Sequence, residues 1–170
     1  MNEKPRRFAE LGYCLFPAVF DAAEVESNRR LLDEYTENDR LDRPNYLGEP
    51  HASDERWLAI CTHPRLLQAI EAILGPNLIL VFSSVFIKPP GAGGDTVPWH
   101  QDNVYWPSVH GTDVVTVWVA IDDASEENSA MKVIPGSHAG HRELGSIQST
   151  DERSMLTKQV LVDAQTESTA

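Results

Sequence analysis

A change of pattern at Gly75 constrains this chain more than any other feature of its 170 residues. Before that glycine the apolar residues recur at helical spacing. Val25, Leu32 and Tyr35 form one such series, and Asp21 with Glu24 has the form of a capping box at its start. His63-Pro64 opens a further helix with Leu66, Leu67, Ile70, Ile73 and Leu74 on its apolar face and Gly75 as its stop. After Gly75 the chain turns to β-branched and aromatic runs, and 78–88, 114–121, 131–134 and 159–162 read as strands. No helical pattern separates these runs, which argues against a doubly wound nucleotide-binding fold. Residues 91–94 carry glycines and read as a flexible turn, but the lysine and helix of a phosphate loop are missing. Residues 8–16 read as a short element entering a strand, and the polar stretch 37–54 as a long loop. The expectation is a single domain, mostly β, with a helical N-terminal part over 1–76 and strands over 77–170.

Charge narrows the partners. With 26 acidic and 14 basic residues the net charge is −12, which repels nucleic acid and anionic lipid head groups. Neither nucleic acid nor a membrane is therefore an expected partner, and a small molecule is. The first ten residues lack the apolar centre of a signal peptide, and no apolar run is long enough for a bilayer. Two cysteines, Cys14 and Cys61, with no dense cysteine framework read as reduced thiols. A cytoplasmic protein, monomeric or weakly self-associating, is expected.

The chemistry is concentrated in Pro98-Trp99-His100-Gln101-Asp102. On a strand, residues two apart share a face, so His100 and Asp102 can project together as one imidazole nitrogen and one carboxylate oxygen. These are two members of the 2-His-1-carboxylate set that holds non-haem Fe(II) and leaves positions open for other ligands. His-x-Asp triplets also arise by chance on surfaces, so the neighbourhood decides. Upstream lies 83–90 (Ser-Ser-Val-Phe-Ile-Lys-Pro-Pro). Downstream lie 115–123 and 127–138, the latter ending Val-Ile-Pro-Gly-Ser-His.

In this order and spacing the segments resemble the phytanoyl-CoA dioxygenase family, and Gly12-Tyr13 and the helix after His63 match its layout too. The resemblance implies a double-stranded β-helix (jelly-roll) core and a 2-oxoglutarate-dependent dioxygenase that hydroxylates an aliphatic C–H bond of a small molecule, with O2 as co-reactant. It implies His100 and Asp102 as iron ligands and Ser84, Gln101 and Trp118 as positions lining the 2-oxoglutarate site. Trp118 shares a strand face with Thr116 and Ala120, opposite the apolar set Val115, Val117, Val119 and Ile121, and fits a plain core tryptophan equally well. His138 resembles a histidine that supports the site without binding iron. For His51, His63, His110 and His141 a structural or solvated role is expected. An aspartate at position 102, where related halogenases carry a small residue, favours hydroxylation over halogenation.

The family pattern also requires a distal histidine and an arginine for the far carboxylate of 2-oxoglutarate. No histidine follows His141, and Arg142, Arg153 and Lys158 match no such motif. The jelly roll is thus expected to be incomplete at its C-terminal end. Three readings stay open: a fragment of a full-length enzyme, a shortened non-catalytic binding module, or recruitment of His138 or His141 as the third ligand.

Overall fold

A computed structural model describes residues 3–89, 96–128, 130–163 and 166. The chain divides into two compact units, one made of Met1–Cys14, Lys88–Val114 and Lys132–Ala170, the other of Leu15–Ile87 and Val115–Met131.

The second of these, the helical unit, is built around α2 (Ala22–Glu37). Its start is fixed as the sequence predicts: the Asp21 carboxylate accepts from the backbone N–H of Ala23 and Glu24 (both 2.9 Å), and the Glu24 carboxylate accepts from Asp21 N–H (2.7 Å). Four otherwise orphaned donors make such a terminus costly without a cap. The inner face of α2 buries Leu31 and Tyr35, which form the core with Leu47 and Trp57. The rings of Tyr35 and Trp57 meet edge to face at 5.8 Å. Trp57 lies on α3 (Glu55–Cys61), a seven-residue helix too short to leave a periodic signal in the sequence. Helix α4 (Pro64–Leu74) begins on Pro64 and ends at Gly75 (φ +86°), as expected. Within the stretch read as a loop, β1 (Tyr46–Gly48) pairs antiparallel with β2 (Ser84–Phe86), setting Leu47 against Val85.

A carboxylate cluster ties α2 to α3. Asp54 caps α3, accepts from the Tyr35 hydroxyl (3.0 Å) and binds the Arg56 guanidinium, which also reaches Glu34 (2.6 Å). Arg29 of α2 pairs with Asp122 and donates to the Ile121 carbonyl (3.3 Å), which anchors the 115–131 segment to the same helix.

The other unit contains α1 (Glu3–Leu11), a hairpin of β3 (Ser146–Gln148) and β4 (Lys158–Val160), and a 3-10 turn at Asp102–Tyr105. Thr96 joins it through bonds with Arg153 and Met155, and Met155 is buried.

Two expectations fail here. The described residues are not mostly β: they hold four strands of three residues each, in two separate two-stranded sheets. Only 84–86 of the run 78–88 is a strand, 114–121 and 131–134 form none, and the expected strand at 159–162 is β4, shifted to 158–160. Strand propensity describes fit to a pleated, half-buried surface, and without a ladder partner it fixes nothing. Ile79 is accordingly 87% exposed, and Val117 and Trp118 are exposed too. The segment 8–16 enters no strand, because Phe8 to Leu11 complete α1. The turn expected at 91–94 lies outside the described residues.

The Asp54 cluster yields a test. The Arg56 guanidinium beside Asp54 holds its carboxyl well below the usual carboxylate range, with the Asp54 capping bond and the Tyr35 hydroxyl helping against burial. A depressed folded-state pKa stabilises the fold above about pH 4 and loses that contribution as pH falls through the acid range. Asp54→Asn keeps a capping oxygen but removes the charge. It should cost about 1 kcal/mol at pH 7, discounted because Arg56 is half exposed, and the gap from the parent should narrow towards pH 2 in urea titrations.

Candidate metal centre

Residues 98–106 leave the extended state at Gln101 (φ −115°, ψ 133°) and turn at Asp102 into the 3-10 segment. His100 and Asp102 therefore share no strand face, yet they still converge. His100 Nε2 lies 3.2 Å from Asp102 Oδ1, while His100 Nδ1 lies 2.8 Å from the Pro98 carbonyl oxygen. A carbonyl only accepts, so Nδ1 carries the proton and Nε2 is the nitrogen turned towards the carboxylate. Burial disfavours charge on this half-buried imidazole, but the bonds to Asp102 and the Pro98 carbonyl outweigh it and raise the pKa.

This donor set fits two adjacent positions around a first-row divalent ion. With bonds of about 2.1 Å, neighbouring ligand atoms on an octahedral ion sit about 3 Å apart. A ligating imidazole also ordinarily donates its other N–H to a carbonyl or carboxylate, which here is the Pro98 carbonyl. Among the described residues no group of three His, Cys, Asp or Glu side chains could hold a metal. The fit is thus to two ligands.

The local backbone is an arch standing on β4. The Val160 N–H donates to the Trp99 carbonyl (2.7 Å) on one side, and the Tyr105 hydroxyl meets Lys158 on the other. Gln101 ties the middle of the arch: its amide donates to the Arg142 carbonyl (2.9 Å) and accepts from Leu144 N–H (2.6 Å). Both ends of that amide are therefore held by backbone. Ser84 and Trp118 belong to the helical unit, Ser84 half-buried opposite Gly48 in the β1–β2 ladder and Trp118 49% exposed on an irregular segment. The face expected to unite Thr116, Trp118 and Ala120 does not form, because 114–121 is no strand; Val115, Val119 and Ile121 are the more buried members.

The other histidines are accounted for locally. His51 Nδ1 meets the Ser83 hydroxyl (2.6 Å), and His63 Nε2 meets the Glu24 carboxylate (3.1 Å). His110 and His141 are exposed. His138 seats the Pro-Gly-Ser-His turn on the end of α1: its Nε2 donates to the Ala9 carbonyl (3.0 Å), and Gly136 N–H donates to the Leu11 carbonyl (2.8 Å). Gly12 ends α1 at φ +81°, with its N–H on the Phe8 carbonyl. A Cβ at Gly12 would come within 2.5 Å of His138 Nδ1, so the ring lies flush on the glycine. This docking joins two widely separated sequence segments, and spacing alone offers no sign of it.

The chain belongs to the phytanoyl-CoA dioxygenase (PhyH) family, whose model matches residues 8–167. Relatives include the peroxisomal phytanoyl-CoA dioxygenase of Bos taurus, 34% identical over 51% of this chain and 26% of that protein. The L-proline trans-4-hydroxylase of Streptomyces griseoviridis is 34% identical over 79% of this chain and 54% of its own length. A probable alpha-ketoglutarate-dependent hypophosphite dioxygenase of Stutzerimonas stutzeri is 26% identical over 81% of this chain and 54% of its own length. The chain thus spans between about a quarter and about half of these relatives. No solved structure matches it. Among the described residues no helix is long and apolar enough to cross a membrane.

Gly12 and Gly75 provide a matched pair for the His138 docking. Both have positive φ, but nothing lies within 4 Å of a Cβ at Gly75. Gly75→Ala should cost only the strain of an alanine at φ +86°, ψ 179°, about 2 kcal/mol, and Gly12→Ala should be the costlier in thermal unfolding because the His138 ring must also be displaced. Equal costs would show that His138 does not pack on Gly12.

Proposed function

We propose that this chain carries the iron-binding arch of an Fe(II)- and 2-oxoglutarate-dependent dioxygenase that hydroxylates an aliphatic C–H bond of a small molecule. The observation that carries the reading is the convergence of His100 Nε2 and Asp102 Oδ1 at 3.2 Å, in a chain of this family. Names of relatives that specify alpha-ketoglutarate dependence and proline hydroxylation support the general kind of reaction.

On this reading His100 and Asp102 hold the metal, with Fe(II) supplying, when bound, the activation of O2 that is coupled to 2-oxoglutarate decarboxylation. With its Nδ1–H held by the Pro98 carbonyl, His100 would meet a metal through Nε2, which then exchanges the proton it shares with Asp102 for the ion. Asp102 supplies the anionic oxygen and offsets the metal charge. Gln101 keeps the two ligands in register by holding 142–144, so its part in the cosubstrate site is to place the arch. For Ser84 and Trp118 a place in the 2-oxoglutarate site rests on the family resemblance alone. The described residues show neither the jelly-roll core expected of the family nor a group of three metal ligands.

Anaerobic addition of Fe(II) and 2-oxoglutarate should give the weak visible charge-transfer band of a chelated cosubstrate, and His100→Ala and Asp102→Ala should abolish it. Fe(II) bound without any band on adding 2-oxoglutarate, or a band unchanged in both variants, would overturn the assignment in favour of a non-catalytic binding module.

A further inference from the structure

The two ligands sit on an arch whose ends both rest on β4, two residues apart. One end is backbone on backbone, Trp99 with Val160. The other is made by a side chain. The Tyr105 hydroxyl donates to the Lys158 carbonyl (2.9 Å) and accepts from the Lys158 N–H (3.0 Å), so one phenol satisfies both main-chain groups of a strand residue. A hydroxyl has one proton and two lone pairs, and this use of both capacities fixes its direction. The ring is half-buried and meets the His100 imidazole edge to face at 6.3 Å and 71°. Lys158 Nζ closes the same loop on the Val104 carbonyl (3.4 Å).

We propose that Tyr105 is a positioning residue for the metal centre: its hydroxyl pins the C-terminal end of the ligand arch to β4, and its ring steadies the His100 imidazole. This rests on the metal-binding reading of His100 and Asp102. Without the hydroxyl, the segment after Asp102 loses both bonds that tie it to the Lys158 main chain. The two ligands would then have to be brought together at the cost of ordering a loose turn. The contacts of Tyr105 are with the Lys158 main chain and the His100 ring, so its effect passes through the ligand arch.

Tyr105→Phe removes the hydroxyl and keeps the ring. Mn(II) binding to the full chain, read by the loss of free-ion EPR signal, should weaken by about tenfold, the lower end of what loss of a supporting partner costs a metal site. Metal-free protein gives a second reading: amide exchange at Lys158 should speed up in Tyr105→Phe, and the His100 imidazole resonances should broaden. Tyr35→Phe, which removes the hydroxyl bonded to Asp54 in the helical unit, serves as the comparison. It should lower thermal stability and leave Mn(II) affinity unchanged. A Tyr105→Phe protein that is folded by circular dichroism and binds Mn(II) as tightly as the parent overturns the positioning role while the metal site stands. Equal loss of affinity in Tyr35→Phe and Tyr105→Phe overturns it as well, because general destabilisation then explains both. A parent chain that fails to bind Mn(II), or binds it unchanged after His100→Ala, overturns both the role of Tyr105 and the metal site.

Discussion

The contact between His100 and Asp102 is the constraint on which the rest of this site depends. An imidazole nitrogen and a carboxylate oxygen at 3.2 Å in a half-buried setting need a shared cation, either a proton or a metal ion. The Pro98 carbonyl biases the choice by occupying Nδ1–H, which leaves Nε2 as the one nitrogen free to change partners. Everything nearby serves to hold that geometry: Val160 and Lys158 on β4, and the Gln101 amide against 142–144. The hairpin of β3 and β4 is short, but it supplies the main-chain partners that hold the two ends of the ligand turn.

The helical unit was largely legible in the sequence because its signals are local. The Asp21–Glu24 capping box, the Pro64 start and the Gly75 stop each depend on residues within one or two turns, and each stands where spacing places it. Helix α3 was not legible, since seven residues complete barely two turns and its main determinant is Asp54, whose partner Tyr35 belongs to another helix, as does the Glu34 that pairs with Arg56. The strands were misjudged for a related reason. Residues 78–83 and 114–121 have the composition of strands, but a strand exists only through its ladder, and composition carries no information about the partner.

The site was partly legible. The type and spacing of His100 and Asp102 signal a metal pair, and the pair does converge, although through a 3-10 turn and not through strand alternation. The roles of Tyr105, Gln101 and His138 were not legible in the residues themselves. Each acts through main-chain groups far along the chain: Lys158, the 142–144 backbone and Ala9. Side-chain bonds to distant backbone leave no spacing pattern. Gln101 entered as a 2-oxoglutarate position through the family resemblance, and the bonds of its amide to the 142–144 backbone add to that what spacing could not show.

A double-mutant cycle on Co(II) affinity tests the shared-ion claim directly, using the parent chain, His100→Ala, Asp102→Ala and the double variant. Two groups that grip one ion lose the advantage of chelation when either is removed. Each single variant should therefore lose most of the affinity, and the double variant little more, so that the losses are far from additive. Losses that simply add, or single variants that bind Co(II) like the parent, would contradict the account.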